Sequence, residues 1–181
     1  MSIELRVARP DDAEEIQAIY APIVQNTSIS FEEVTPTVED MRQRILTTLK
    51  TYPFLVATRE GRVIGYAYAS QHRARAAYRW AVDVTVYIAQ SDRRTGAGRS
   101  LYAALLPILT RQGFRSAYAG ISLPNAESVG LHERVGFKPI GIFSEVGFKL
   151  GEWHDVGYWC YVLAGATTPP SEIQPFTAFN E

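Results

Sequence analysis

The 181-residue sequence has little cysteine, little excess charge and no long apolar run. Its single cysteine, Cys160, excludes a framework of intramolecular disulfides. With 18 basic and 19 acidic residues the formal net charge is -1, so no basic excess draws the chain to nucleic acid or to an anionic membrane. No apolar run is long enough to span a bilayer, and the first residues lack a signal-peptide core. We therefore expect a cytoplasmic protein that binds neither nucleic acid nor membrane.

Apolar residues are plentiful, at 46% of the sequence, and the length suits one compact domain. Alternating apolar residues and β-branched runs predict strands over 3–7, 54–58, 63–70, 82–88, 116–121, 137–145 and 156–163. Helical spacing predicts helices over 16–23, 38–49, 99–113 and 124–135. This order predicts a mixed α+β domain over residues 1–163, followed by an extended tail over 164–181.

A glycine-containing loop joins the predicted strand 84–88 to the next predicted helix. It reads Arg93-Arg94-Thr95-Gly96-Ala97-Gly98, and Arg99 and Ser100 follow it. Glycines adopt backbone angles closed to other residues and let a ligand approach the main chain. A helix start adds unpaired amides and a positive dipole end, so the loop with its arginines fits a pyrophosphate. The alternative is a tight turn with no ligand.

Other phosphate and metal motifs are absent from the sequence. A Walker loop needs a lysine where this chain has Arg99 and a glycine where it has Arg93. A dinucleotide fingerprint needs three glycines and a later acidic partner, and only two glycines are present. The histidines at 72, 132 and 154 lack metal-ligand spacing, so we expect no metal.

Several segments together resemble one enzyme superfamily. The strand, the Arg-x-x-Gly-x-Gly loop and the helix are similar to the acetyl-CoA signature of the GNAT acetyltransferases. Downstream, Asn125 and the segment Leu131–Phe137 resemble that superfamily's second signature. Over residues 3 to 163 the chain also resembles the phosphinothricin and methionine sulfoximine N-acetyltransferases, through Arg73-Ala74-Arg75, Tyr78, Trp80, Leu123-Pro124-Asn125, Gly147-Phe148-Lys149 and Trp153-His154-Asp155-Val156-Gly157.

The resemblance implies a GNAT fold, with a central twisted, mostly antiparallel sheet of six to seven strands flanked by four main helices. It implies acetyl-CoA as cosubstrate, a small amino-acid acceptor and a homodimer. The implied cofactor contacts are Val86, Tyr87, Ile88, Arg93, Arg94, Thr95, Gly96, Ala97, Gly98, Arg99, Ser100, Asn125, Ser128, His132 and Arg134. The implied substrate contacts are Phe31, Arg73, Ala74, Arg75, Tyr78, Asp83, Val84 and Thr85.

Three groups are expected to take part in the chemistry that this resemblance implies. Asp83, beside the central strand, would accept the proton of the amine; relatives often carry glutamate here, and the shorter aspartate favours a relay through water. Alternatively, Asp83 only pairs with Arg75 or Arg79. His132 stands where many GNAT enzymes have a tyrosine and would protonate the thiolate or relay the amine proton, or else it only bonds to the backbone of its helix. The amide of Val86 would polarise the acetyl oxygen.

Binding of the acceptor amino acid is expected to depend on the basic, aromatic segment that contains Arg73 and Arg75. Arg73 and Arg75 alternate, so in an extended segment they would point the same way and suit a carboxylate, phosphinate or sulfoximine group. Alternatively, both arginines are merely exposed to solvent in a loop and bind no ligand. We expect methionine sulfoximine, methionine sulfone or phosphinothricin as acceptor. Two rival functions are acetylation of peptide N-termini, which does not need the two arginines, and a non-catalytic CoA-binding module, against which Asp83 and His132 argue.

Overall fold

The computed structural model describes residues 2–179. Its helices are α1 (Ala13–Asn26), α2 (Val38–Thr48), α3 (Ala97–Gln112) and α4 (Ala126–Val135). Its strands are β1 (Glu4–Val7), β2 (Phe54–Arg59), β3 (Arg62–Gln71), β4 (Ala81–Ile88), β5 (Ser116–Leu123), β6 (Lys138–Lys149) and β7 (Glu152–Val162). Short 3₁₀ turns lie at Pro10–Asp12, Ala76–Tyr78, Gln90–Asp92 and Phe176–Phe179.

All seven strands belong to one sheet in the order β1-β2-β3-β4-β5-β7-β6. Every neighbouring pair is antiparallel except β4 and β5, which are parallel. The parallel pair requires a crossover, which α3 provides. The predicted mixed α+β class, with a mostly antiparallel sheet and four main helices, is thereby confirmed.

Side chains of β4 alternate between the two faces of the sheet. Val82 and Val84 are buried in the core formed with α3 and α4, whereas Tyr87 packs against the second core, formed with α1 and α2. Because successive strand residues point to opposite faces, Asp83 and Thr85 share the α1/α2 face with Tyr87. Asp83 and Thr85, both predicted to meet substrate, therefore lie on one face of the sheet.

The β6–β7 hairpin is longer than predicted. The sequence pattern predicted that the first strand ends at residue 145 and that the second begins at 156. In the structure β6 continues to Lys149 and β7 already begins at Glu152. The register shifts between Phe143 and Gly147, where Glu145 has φ 48° and its N–H donates to the Asp155 carboxylate over 2.8 Å. The bulge interrupts the apolar alternation of β6, and β7 begins with the mostly polar residues 152–155, so neither strand end shows the predicted pattern.

The residues after β7 return to the end of α3. The side-chain amide of Gln112 donates to the carbonyls of Thr51 and Gln174 at 2.8 and 2.9 Å. Phe176 is 2% exposed, and the indole N–H of Trp80 donates to the Ser171 carbonyl over 2.8 Å. Residues 164–175 are irregular, yet these contacts pack their last part against the domain.

Candidate active site

The sheet opens between its two parallel strands. β4 and β5 pair only from Ala81 opposite Ser116 to Asp83 opposite Tyr118. Beyond this point residues 84–88 stay paired with β3 and residues 119–123 with β7. A gap therefore widens between β4 and β5, starting at Asp83.

Two main-chain amides of β4 face this gap. The N–H of Ala89 donates to the Ile64 carbonyl of β3 over 2.8 Å. Since backbone groups alternate along a strand, the amides of Val86 and Ile88 point the other way, toward the position that β5 has left. The structure thus places the Val86 amide where a ligand inserted between the strands would meet it.

The glycine loop begins α3 next to the gap. Gly96 has φ 91° and Arg94 φ 62°, so the turn depends on left-handed backbone angles. The first helical bond runs from the Ser100 N–H to the Gly96 carbonyl at 3.0 Å, which leaves the amides of residues 97–99 without partners in the helix. The first turn carries no acidic residue. Unpaired amides without a nearby acidic side chain are the features that an anion site at a helix start requires.

Two details of the loop differ from the prediction. The helix starts at Ala97 rather than at Arg99. Gly98 has no positive φ; instead, a Cβ added there would lie 2.9 Å from the Leu131 side chain, so this glycine lets α3 approach α4 closely. Thr95 donates its hydroxyl to the Asp92 carbonyl over 2.7 Å.

The arginines of the loop stand at its rim. Arg93 and Arg94 meet the carboxylate of Glu127 in α4 at 3.3 and 3.2 Å, and both are exposed. Such exposed pairs contribute little to stability and separate readily. Arg99 is likewise exposed in the first turn of α3. All three cations are therefore free to turn toward an anion at the helix start.

The second signature folds as α4, from its cap to its C-terminal end. Asn125 caps the helix by accepting from the Ser128 N–H over 3.1 Å. Arg134 lies exposed in the last turn of α4, with its guanidinium beside Gly130. The Asn125 and Ser128 side of α4 therefore lies near the loop through Glu127, whose carboxylate meets both loop arginines.

His132 lies inside the molecule with both ring nitrogens bonded. It is 4% exposed; Nδ1 donates to the Ser128 carbonyl over 2.7 Å and Nε2 accepts from the Tyr102 hydroxyl over 2.8 Å. Burial lowers the pKa of His132, opposed by the bond to Ser128. A neutral ring so placed has neither a free N–H nor a free lone pair for the thiolate. This geometry supports the alternative in which His132 bonds to its own helix.

A cleft of about 360 Å³ opens on the α1/α2 face beside the gap. Phe31 lines it, as predicted for a substrate contact, and so does Tyr87. The remaining walls are Ile29, Ser30, Gly120, Ser122, Val146, Val156 and Tyr158. The Ser122 hydroxyl is buried here and has no hydrogen-bond partner within residues 2–179. The cleft is mainly apolar with one unpaired polar group, which suits a small ligand.

A buried lysine fixes the wall that carries Phe31. Lys149, at the end of β6, is 6% exposed and donates to the carbonyls of Val24 and Ser30 at 2.7 and 2.6 Å. The Phe31 ring lies directly on Gly147, where any side chain would overlap it. In the sequence, Gly147-Phe148-Lys149 stood out only because it resembles a segment of the related acetyltransferases. The sequence pattern gives no sign that this segment contacts residues so distant along the chain.

The basic segment lies at the Asp83 end of the gap. Arg73 and Arg75 are exposed, but the chain bends at residues 72, 74 and 75 before a 3₁₀ turn, so the two arginines do not belong to a continuous strand, although Arg75 itself is extended with φ -73° and ψ 135°. Ala74 lies between them, and Tyr78 is 46% exposed. None of these side chains lines the cleft around Phe31.

Asp83 pairs with a residue that the sequence did not select. Nδ1 of His72 lies 2.6 Å from the carboxylate, whereas Arg79 stacks on Trp80 at 3.7 Å, so the expected alternative pairing with Arg75 or Arg79 is wrong. Burial raises the pKa of Asp83, and His72 and the charge of Arg73 oppose that rise. This pair could not be predicted from the sequence, because His72 lies just after β3 and the connection from there to β4 is irregular.

The described part of the chain has neither a cluster of possible metal ligands nor a helix that could cross a membrane. Within residues 2–179 no group of three or more His, Cys, Asp or Glu side chains is placed to hold a metal ion. No helix in the same range is long and apolar enough to cross a membrane.

A sheet split at a parallel pair, with unpaired amides at the next helix start, is the arrangement expected of an acyltransferase of the GNAT kind. A family model described as an acetyltransferase (GNAT) domain matches residues 5–157. The chain belongs to the GNAT acetyltransferase family and is an acyltransferase, which confirms the resemblance found in the motifs.

The comparisons extend over most of the chain. It is 37% identical to the phosphinothricin N-acetyltransferase of Streptomyces viridochromogenes, covering 97% of this chain and 95% of that one. It is 37% identical to the L-methionine sulfoximine/L-methionine sulfone acetyltransferase of Pseudomonas aeruginosa, covering 87% and 93%. The crystal structure of the Sinorhizobium meliloti phosphinothricin acetyltransferase in complex with acetyl-CoA superimposes with a TM-score of 0.91, at 36% identity and 98% coverage of both chains.

Proposed function

We propose that this enzyme transfers the acetyl group of acetyl-CoA directly to the α-amine of a small amino-acid analogue: methionine sulfoximine, methionine sulfone or phosphinothricin. The opening of the sheet at Asp83 is the observation that carries the proposal. It leaves the helix start of α3 at one end, the amides of β4 along its length and an acceptor cleft on the α1/α2 face. Donor and acceptor would therefore meet between two strands.

The donor side fits acetyl-CoA. The amides of residues 97–99 would hold the pyrophosphate, and Arg93, Arg94 and Arg99 would supply charge. The pantetheine arm would lie along Tyr87 and Ile88, with the Val86 amide donating to the thioester oxygen. Acetyl-CoA in the Sinorhizobium meliloti structure supports this assignment, given 98% coverage of both chains.

The acceptor side fits a small zwitterion. Arg73 and Arg75, at the Asp83 end of the gap and outside the cleft, would bind its carboxylate or its phosphinate or sulfoximine oxygens, with Tyr78 beside them, and Phe31 in the cleft would flank its side chain. Asp83, with Thr85 on the same face of β4, would receive the amine at the start of the gap, and Val84 would offer only its main chain because its side chain is buried in the core on the other face. The names of the relatives support this substrate class.

His132 is assigned a different role from the one expected of it. Its bonds to Ser128 and Tyr102 fix the start of α4 against α3. We propose that it shapes the cofactor site in this way and that the leaving thiolate takes its proton from the amine nitrogen.

Release of the CoA thiol, measured with an acceptor panel, tests the function. We expect turnover with at least one of the three analogues to exceed turnover with alanine-, serine- and methionine-terminated peptides by tenfold or more. Thiol release with peptides alone would favour protein N-terminal acetylation, and acetyl-CoA binding without release to any acceptor would favour a binding module.

Arg75→Ala tests the acceptor assignment. We expect a higher KM for the analogue and an unchanged KM for acetyl-CoA, because the guanidinium would touch only the acceptor. Arg79→Ala is the matched control, since Arg79 is an exposed arginine of the same segment that stacks on Trp80. Equal effects of the two variants would contradict the assignment.

A further inference from the structure

His72 and Asp83 form a hydrogen-bonded pair at the point where β4 and β5 separate. Asp83 lies opposite Ser70 in β3, and His72 follows two residues later, so their 2.6 Å bond closes the end of the β3–β4 pairing. The side chain of Asp83 is 42% exposed and that of His72 only 15%. The carboxylate thus faces the open side, and the imidazole supports it from within.

Aromatic rings hold the imidazole in place. It stacks on Tyr118 of β5, with ring centroids 4.5 Å apart and planes inclined by 20°, and meets the edge of Tyr78 at 6.1 Å. The other charge acting on the carboxylate is that of Arg73. Within residues 2–179 neither His72 Nε2 nor Asp83 Oδ2 makes a hydrogen bond. One carboxylate oxygen is therefore fixed by the ring, while the other stays available.

We propose that His72 is a positioning residue that acts through Asp83, so that the His72–Asp83 pair, rather than an isolated carboxylate, takes the proton of the acceptor amine. This inference rests on the proposed acetyl transfer. The neutral ring donates Nδ1–H to Oδ1, which holds the carboxylate in one orientation with Oδ2 toward the amine.

The proton balance follows from this arrangement. The ammonium group gives one proton to Oδ2, directly or through water, and the neutral nitrogen attacks the thioester carbon. The carbon–sulfur bond breaks, the second nitrogen proton neutralises the thiolate, and the pair returns its proton to solvent. Nε2 gives the pair a second place to hold that proton, as an imidazolium beside a carboxylate.

The pair sets a specific dependence on pH. A proton added to the resting pair can enter the imidazole as well as the carboxylate, because one 2.6 Å hydrogen bond couples the two groups. An imidazolium beside the carboxylate neutralises it and weakens it as a base. The acidic limb of kcat/KM should therefore report protonation of the pair, so that loss of the imidazole moves it, with the amine contributing the same further slope in every variant.

The decisive variant is His72→Gln, whose amide still donates a hydrogen bond but does not titrate. We expect the acidic limb of its kcat/KM profile to lie at least about one pH unit lower than in the wild type. Above pH 8 its activity should stay within about tenfold of the wild-type activity. Tyr118→Phe keeps the ring beneath His72 and should keep the wild-type limb. A limb unchanged in His72→Gln overturns the proposal, because a merely structural histidine would leave it in place.

A second measurement needs no turnover. The chain has three histidines, so their ring signals can be followed separately by NMR, and His72→Gln identifies the signal of His72. We expect Asp83→Asn to shift the His72 ring resonances, because it replaces the charged hydrogen-bond partner of Nδ1, and to leave the His132 and His154 resonances in place. Identical His72 resonances in Asp83→Asn would overturn the pair even in a fully active enzyme. Absence of turnover with every acceptor, together with the expected shift, would instead count against the proposed function alone.

Discussion

Ser122 brings a hydroxyl into the cleft without a partner from the protein. The residue is 8% exposed, and its Oγ makes no hydrogen bond within residues 2–179. An unpaired buried polar group costs about 1–3 kcal/mol, so an acceptor that supplies a polar atom would recover part of this cost. We expect Ser122→Ala to raise the acceptor KM about 5–30-fold while the free energy of unfolding stays constant or increases.

Acceptor titration at saturating acetyl-CoA, together with denaturant unfolding, measures both effects of Ser122→Ala. Their opposite signs separate contact with the acceptor from a structural role. A less stable variant with an unchanged acceptor KM would show that the hydroxyl serves the fold instead.

Gly147 controls the position of Phe31. A Cβ at this position would overlap the Phe31 ring, whereas a Cβ at Gly141 on the same strand meets nothing within 4 Å. We expect Gly147→Ala to displace Phe31, narrow the cleft and raise the acceptor KM severalfold, with little change for acetyl-CoA. Steady-state kinetics check this, with Gly141→Ala as the matched control. Similar kinetics in the two variants would remove Phe31 from the acceptor site.

At the residue scale, features visible in a short stretch of sequence could be predicted, whereas contacts between separate segments could not. Asp83 was selected as a candidate because a carboxylate next to a predicted strand is visible in the sequence alone. His72 was missed because its bond to Asp83 depends on how β3 and β4 pair across the irregular residues 72–80. His132 was found by its place in a motif, but burial and Tyr102 decide what its ring can do, and neither can be inferred from the motif.

The turn that begins α3 depends on Gly96. With φ 91° and open space at its Cβ, alanine there would cost about 1–2 kcal/mol of backbone strain and no clash. We expect Gly96→Ala to reorient the amides of residues 97–99 and to raise the KM for acetyl-CoA severalfold, leaving the acceptor KM unchanged.

Gly61→Ala is the matched control for this turn. Gly61 has φ 78°, equally open space, and lies in the turn between β2 and β3. It should lose comparable stability without any effect on acetyl-CoA. Kinetic parameters that change alike in both variants would mean that strain alone, and not the anion site, explains the effect.

At the element scale, the loop before α3 was predictable because all its features are contiguous in sequence. The β6–β7 hairpin was not, because its bulge depends on Asp155 accepting from the Glu145 amide ten residues earlier. Lys149 illustrates the same limit, since its two carbonyl partners lie at Val24 and Ser30, more than a hundred residues away.

For the whole molecule, the order of elements predicted the fold class, but the opening between β4 and β5 had no sign in the sequence. Both strands are apolar and continuous, and only their pairing with different neighbours separates them beyond Asp83. The motifs therefore predicted which residues would meet the ligands, while the opening of the sheet could be seen only in the structure.

The outer strand of the sheet also suggests how two copies associate. β6 is an edge strand with Ile140, Ile142 and Phe143 each at least 50% exposed. An edge with exposed apolar residues is a surface for pairing with another chain. We propose that the homodimer implied by the family resemblance forms here, so the mass in solution should be twice 20.2 kDa.

Light scattering after size exclusion tests this dimer. We expect Ile142→Lys to shift the mass toward the monomer, because a charge on the apolar edge would be desolvated on association. Leu5→Lys places the same charge on β1, the opposite edge strand, and should leave the mass unchanged. A wild-type monomer at micromolar concentration would refute the dimer. A dimer that survives Ile142→Lys but dissociates with Leu5→Lys would move the interface to β1, far from the hairpin that carries Lys149 and the acceptor wall.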